Sequence, residues 1–271
     1  MVAFAGNSIL CRMALATTAI DPASFTLIRI VSGAVVLYLL VSWRRGIASV
    51  GGNWTSALAL FAYAAGFSYA YLSLPAGTGA LLLFGAVQAS MIGYGLIRGE
   101  RLGAWQVLGM VMAVMGLVGL LLPGLQAPPL SGSLMMVGAG VAWGIYSLRG
   151  RRASSPTVET TGNFVRAVPM AFILGAYGIS RAEIDFAGVV YAVGSGAVAS
   201  GLGYAVWYSV LPRLASTMAA TVQLSVPAIA AIAGVIFLHE PITARLLGAS
   251  AAILGGIAVF ILCRPEPVRG S

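Results

Sequence analysis

Apolar runs of membrane-crossing length recur from one end of this chain to the other, and almost no charge interrupts them. Of its 271 residues, 59% are hydrophobic and 8% are charged, whereas an ordinary soluble domain carries about 25% charge. A helix crosses the hydrocarbon core in about 20 residues, so roughly ten crossings would take about 200 residues and leave about 70 for every connector. That arithmetic excludes a soluble domain, a nucleotide-binding cassette or a long receptor tail. A net charge of +8 raises the idea of nucleic acid, but the charges fall between apolar runs, where membrane topology accounts for them better. The expected partners are membrane lipid and a small molecule, not nucleic acid.

Polar or Pro/Gly-rich breaks divide the chain into ten segments: 2–20, 23–42, 54–73, 76–97, 103–122, 133–150, 160–180, 186–210, 215–238 and 242–263. Breaks such as Asp21-Pro22 and Leu74-Pro75-Ala76 are so short that consecutive helices must run antiparallel. Every basic side chain is an arginine; there is no lysine. With ten spans, Arg44, Arg45, Arg98, Arg101, Arg149, Arg151, Arg152, Arg213, Arg264 and Arg269 share one face. Only Arg181 and Arg245 take the other, while Arg12, Arg29 and Arg166 lie within or near spans. This positive-inside bias places both termini in the cytoplasm of an inner- or plasma-membrane protein, and it would be lost with nine spans. The Arg149, Arg151, Arg152 loop reads as a topology signal and an anionic-lipid contact.

The run Pro123-Gly124-Leu125-Gln126-Ala127-Pro128-Pro129 reads as a semi-rigid linker between two halves, 1–127 and 128–271. Landmarks repeat across it at a nearly constant offset of about half the chain. Tyr71-x-x-Leu74-Pro75 is echoed by Tyr208-x-x-Leu211-Pro212, Glu100 by Glu240, and Gly109/Gly116 by Gly248/Gly255. Five spans is an odd number, so the second half enters the membrane from the opposite side. The expected fold is therefore all-α and integral to the membrane, with ten transmembrane helices in two inverted five-helix repeats. Secondary transporters share that architecture, with a midplane site between the halves and alternating access.

These residues carry a family resemblance. Gly99-Glu100-Arg101-Leu102 followed by Gly109/Gly116 resembles the end of an EamA repeat, as does His239-Glu240-Pro241-Ile242 followed by Gly248/Gly255. Asp21-Pro22-x-x-Phe25-x-x-x-Arg29 resembles the start of the second helix of that repeat, and Ala142-Trp143-Gly144-Ile145-Tyr146 the start of its second copy. The chain is thus similar to the drug/metabolite transporter superfamily of EamA type, and within it to the YddG-type aromatic amino-acid exporters. It departs from the pattern in lacking a tryptophan before Gly6-Asn7, and a fourth-span counterpart of Pro227. The resemblance implies a cavity lined by the first four helices of each half, with the fifth and tenth outside it. Gly109, Gly116, Gly248 and Gly255 then serve close helix packing. Glu100 and Glu240 would cap or orient the turn before the last helix of each half, where the helix dipole favours an acid.

Candidate substrate-binding residues are polar or aromatic and deep in the core spans. Gln88 and Gln223 are amides, costly in hydrocarbon unless paired. Gln223 precedes Pro227 by four residues, with Ser225 between; a proline inside a span frees a carbonyl that suits a substrate ammonium. Trp143 and Tyr146 share a helical face, and Tyr71, Tyr204 and Tyr208 add rings. Asn7 is a polar residue of the first span. Helix–helix hydrogen bonds, a structural kink and interfacial anchoring are the competing readings of these residues; anchoring is favoured for Trp54, Trp105 and Trp207. Arg12 and Arg29 divide between snorkelling and carboxylate recognition.

Cys11 and Cys263 offer no disulfide framework, and His239 is the one histidine, so no metal, cofactor or catalytic constellation is expected. The leading functional expectation is export of aromatic or hydrophobic amino acids and related metabolites by a monomer or weak homodimer. A deep carboxylate of the kind used in proton pumps is missing, so movement down the substrate gradient is expected, with weak or no proton coupling. A nucleotide-sugar or organic-phosphate exchanger would need several deep cations, and a multidrug cation exporter a deep acid.

Overall fold

Short polar caps, more than helix propensity, divide this apolar chain into its elements. The computed structural model describes residues 1–45, 50–99, 102–124, 127–150, 155–178, 180, 182–210 and 222–263. Glu100, Arg101, Arg151, Arg152, Arg181, Leu211, Pro212, Arg213, Arg264 and Arg269 lie outside that set, as do the side chains of Arg44, Arg45 and Tyr208. The described residues are helical, with no strand among them.

Helix α1 is Val2–Thr17, α2 Pro22–Arg45, α3 Trp54–Ala70, α4 Ala76–Ile97 and α5 Ala104–Leu121. Then come α6 Leu130–Gly150, α7 Pro156–Tyr177 and α8 Phe186–Val193. A π-helical stretch, Gly194–Leu202, runs without a break into α9, Gly203–Val210; α10 is Ser225–Leu238 and α11 is Ala244–Leu262. Asp21 opens α2 by accepting from the Ala23 and Ser24 amides at 2.9 and 3.0 Å. Asn53, Asp185 and Thr243 cap α3, α8 and α11 in the same manner. Pro22 and Pro156 stand at first helical positions, where the missing N–H costs nothing.

Among the described residues, six segments are long and apolar enough to cross a membrane: Pro22–Trp43, Ala76–Ile97, Ala104–Leu121, Leu130–Gly150, Phe186–Trp207 and Ala244–Leu262. Val2–Thr17 and Ser225–Leu238 are apolar but shorter. Helix α3 is likewise short at 17 residues, and α7 is long but carries Glu159 and Arg166.

The connectors gather at two ends of an antiparallel bundle. At one end Asp21 and Glu183 exchange hydrogen bonds, and Arg12 of α1 spans to the α3–α4 connector and to Glu240. At the other end Asn163 Oδ1 accepts from the Asn53 amide at 2.9 Å, and Arg149 donates to Ser56 Oγ at 2.9 Å and Asn53 Oδ1 at 3.0 Å. Across the bundle α3 and α4 lie on α6, α2 lies on α7 and the π-helical stretch, and α1 lies on α8, that stretch and α10. Helix α4 meets α10, and α5 pairs with α11.

Two expectations change here. A Cβ on Gly109 would meet the Phe260 amide at 2.8 Å, and one on Gly116 would meet Ala252 Cβ at 2.8 Å, so both glycines do permit the α5–α11 contact. Gly248 and Gly255 face open space instead; the packing glycine of α11 is Gly256, whose Cβ would lie 2.7 Å from the Ala113 amide. Adjacent glycines point about 100° apart on a helix, and the repeat spacing selected the wrong one of the pair. Glu240 also acts elsewhere than expected. His239 takes a left-handed conformation at φ 54° to end α10, and Glu240 then turns away from its own helix. Its Oε2 accepts from the Ala76 amide at 2.7 Å, capping α4 of the other half, and its Oε1 pairs with Arg12 Nε at 3.1 Å.

Candidate functional site

Aromatic residues four apart on α3 begin the site. Tyr63, Phe67 and Tyr71 fall on one helical face and are buried. Their rings form a continuous column. Tyr71 meets Phe67 edge-on at 4.7 Å, Phe67 meets Tyr63 at 5.4 Å, and Tyr63 meets Trp143 of α6 at 4.8 Å. Trp143 then stacks on Tyr146 at 5.4 Å and leans on Tyr204 of α9 at 5.2 Å. Phe164 of α7 and Phe4 of α1 close around Tyr204, at 6.0 and 5.7 Å.

A polar cluster sits against this column where α1, α2, α3 and the π-helical stretch converge. Asn7 Nδ2 donates to Tyr63 Oη at 3.1 Å, and Arg29 Nη2 donates to the same oxygen at 3.0 Å. The Ser195 hydroxyl donates to Asn7 Oδ1. The Arg29 guanidinium lies 5.1 Å from the Tyr63 ring centroid and 4.9 Å from that of Phe67, within cation–π range. It is 2% exposed, and its Nη1 has no hydrogen-bond partner. Ser195 lies at the start of the π-helical stretch, a backbone form that recurs at functional sites. Gly196 beside it lets this stretch approach the Arg29 backbone: a Cβ there would lie 2.8 Å from the Arg29 carbonyl carbon.

Polar contacts close both ends of this core. Toward one end, beyond Tyr71, are Arg12, Glu240 and the Tyr71 and Leu72 carbonyls that Arg12 Nη1 holds at 2.8 and 3.2 Å. Toward the other, Tyr146 donates to Thr160 Oγ1 at 3.3 Å and receives Asn163 Nδ2 at 3.5 Å. A shallow recess of about 10 Å³, room for about one water, lies beside Tyr146, bordered by Ser56, Arg149, Glu159 and Thr160.

Of the expected site residues, the structure brings Asn7, Trp143, Tyr146 and Tyr204 together. Tyr71 joins through Phe67, at the end of the column, with its hydroxyl donating to the Ala76 carbonyl at 3.2 Å. Gln88 is buried on α4 and takes no part in the hydrogen bonds described for the cluster. Gln223 is half-buried, and the helical pattern breaks at Leu224, just after Gln223 and three residues before the buried Pro227. Ser225 is exposed, its hydroxyl folded back onto the Val222 carbonyl at 2.7 Å. Tyr208 lies on the α9 backbone. Tyr63, Phe67, Phe164 and Ser195 are additions. The four-residue spacing of Tyr63, Phe67 and Tyr71 was the sequence signal for the first two; Ser195 in a Gly/Ser/Ala run carried none. Trp54 and Trp105 are exposed at helix starts, as interfacial anchors are.

Comparison with known proteins adds to this geometry. The model of the EamA-like transporter family matches residues 130–262. An uncharacterised protein of Pseudomonas aeruginosa is 54% identical over 97% of this chain and 92% of its own length. A threonine/homoserine exporter of Salmonella typhimurium is 30% identical over 58% of this chain, and the match spans only 55% of that exporter. A solved crystal structure superposes on 97% of this chain and 98% of its own with a TM-score of 0.65 at 20% identity, which bears on the fold alone.

Proposed function

We propose that this chain, whose residues 130–262 match the EamA-like transporter family model, is a member of that family and an inner-membrane exporter of amino acids working by alternating access. In this reading ten spans form two inverted five-helix repeats, 1–127 and 128–271, with both termini cytoplasmic. The packing pattern supports it. Let α8 through α9 count as the eighth span, α10 as the ninth and α11 as the tenth. Exchanging the halves then turns the α3–α6 contact into α8–α1, and α4–α6 into α10–α1. The pairs α2–α7, α4–α10 and α5–α11 map onto themselves.

The observation that carries the function is the ring-walled polar cluster between the halves, closed at both ends. Its walls suit an apolar or aromatic side chain, and its amide, hydroxyls and guanidinium suit the polar end of an amino acid. We read Asn7, Tyr71, Trp143, Tyr146 and Tyr204 as contacting the cargo path, and Gln88, Tyr208, Gln223, Ser225 and Pro227 as further substrate-binding candidates on the fourth, eighth and ninth spans. Nucleotide sugars and organic phosphates fit less well, since Arg29 is the single cation of the cluster and phosphates call for several. Organic cations fit less well too, since no described acid reaches it. In this reading the activity is transport rather than turnover, by a monomer or weak homodimer.

Counterflow in proteoliposomes, screened against all common amino acids, nucleotide sugars and quaternary amines, tests the reading. Competition by phenylalanine, tryptophan or tyrosine supports the aromatic cargo. Competition by threonine and homoserine alone would keep amino-acid export and replace its cargo, and competition by nucleotide sugars alone would overturn it.

A further inference from the structure

We propose that Arg29 is the receptor for the carboxylate of the cargo, a role that rests on the amino-acid reading above. Counting from Pro22, Arg29 lies about 10 Å into α2 at 1.5 Å per residue, and it is 2% exposed. A charge buried that deeply is costly unless paired. Yet the ion pair found among the described residues joins Arg12 to Glu240, at the end of the bundle, and no described acid pairs with Arg29. Arg166, half-buried toward the end of the bundle, is satisfied by the Gly51 and Gly162 carbonyls. Arg29 differs in retaining a donor nitrogen, Nη1, with no partner.

Its neighbours complete a carboxylate receptor. Tyr63 Oη already accepts from Asn7 and Arg29, so both of its lone pairs are engaged and its proton can be given to a third group. A carboxylate is planar and offers two acceptor oxygens, one for the free guanidinium nitrogen and one for the Tyr63 proton. A single guanidinium balances one negative charge, which favours a carboxylate over a phosphate dianion. The Tyr63 and Phe67 faces hold the guanidinium in place, and the Trp143 ring beyond Tyr63 is positioned for the rest of the cargo. Bound cargo thus supplies a counter-ion that the described residues do not.

The test measures affinity in proteoliposomes by competition and on purified protein by thermal shift. The probes are L-phenylalanine, its methyl ester, phenethylamine and 3-phenylpropionate, with L-threonine and its methyl ester in parallel. Wild type should favour each free amino acid over its ester by about 10- to 100-fold, the range of one charged hydrogen-bonded contact. Arg29→Gln should lower amino-acid affinity to the ester's level and leave ester and amine affinity unchanged, and Arg29→Lys should fall between. If Arg29→Gln does not fold, Arg29→Lys and the wild-type ester comparison decide. Equal amino-acid affinity in wild type and the folded variants overturns the proposal and leaves amino-acid export standing. Wild type that treats acid and ester alike overturns it as well. Binding of phenylpropionate but of neither amino acid overturns the amino-acid reading and supports Arg29 as a carboxylate receptor. Binding of no probe overturns both.

Discussion

Glu240 offers the sharpest single perturbation, because its two oxygens do separable things. Oε2 caps α4 at the Ala76 amide, 2.7 Å away, and Oε1 pairs with Arg12 Nε at 3.1 Å. Both side chains are mostly buried, at 19% and 14% exposure, so solvent screens the pair only in part. Glu240→Gln keeps an acceptor for Ala76 and removes the charge that faces Arg12. A charged hydrogen bond contributes about 1.5–3 kcal/mol, so closure of this end should weakens by about tenfold or more. Ser8, one turn deeper than Arg12 on α1 and buried, reports such an opening. In a Cys11→Ala, Cys263→Ser background, a Ser8→Cys thiol should react with an impermeant maleimide about tenfold faster, or more, once Glu240→Gln is added. Exchanging the charges as Arg12→Glu with Glu240→Arg should not restore slow labelling. Ala76 would then face a donor, and the Tyr71 and Leu72 carbonyls would lose theirs. Labelling within twofold of the parent, at unchanged thermal stability, would show that this pair does not hold the end closed.

Three further outcomes are expected. Gly256→Leu should destabilise the α5–α11 contact by a few kcal/mol, as overpacking does, whereas Gly255→Leu and Gly248→Leu should stay near the wild-type melting temperature; thermal unfolding in detergent separates them. Trp143→Leu removes the ring that joins Tyr63, Tyr146 and Tyr204, and should reduce uptake of aromatic amino acids about tenfold or more with expression retained, measured beside threonine uptake. A pH gradient imposed on liposomes should not drive concentrative uptake; accumulation that an ionophore collapses would refute the facilitative mechanism.

Helix positions were legible in the sequence because lipid imposes a length and an apolar composition on each span, and caps such as Asp21, Asn53 and Asp185 mark the starts. What was hidden depends on contacts between distant segments. Glu240 was read as serving its own turn, yet it caps a helix 164 residues away. The Gly248/Gly255 spacing matched its counterpart in the first half, but Gly256 is the residue that meets α5, and spacing alone cannot tell two adjacent glycines apart. Arg29 looked able to snorkel while its neighbours were unknown. The rings of Tyr63 and Phe67 that hold it inside stand on a different helix.

The two ends of the bundle are closed by unequal means, and that bears on how an exporter would rest. At the end that carries Glu240, a guanidinium meets a carboxylate, so both partners are charged. At the opposite end, which the arginine bias assigns to the cytoplasm, Arg149 and Arg166 donate only to neutral acceptors: Ser56, Asn53 and the Gly51 and Gly162 carbonyls. Hydrogen bonds with charge on one partner are weaker than those with charge on both. In the proposed orientation that end, on the cytoplasmic side, is the easier one to open. An exporter must take its cargo from that side before the far side opens. A weak inner closure and a strong outer one bias the empty protein toward the loading state. A cargo whose carboxylate engages Arg29 would need to reach α1 and α2, the helices that also carry Asn7 and Arg12. Helix α1 thus joins the site to the outer closure, and a shift of α1 on binding is the most direct route by which cargo could loosen the Arg12–Glu240 pair.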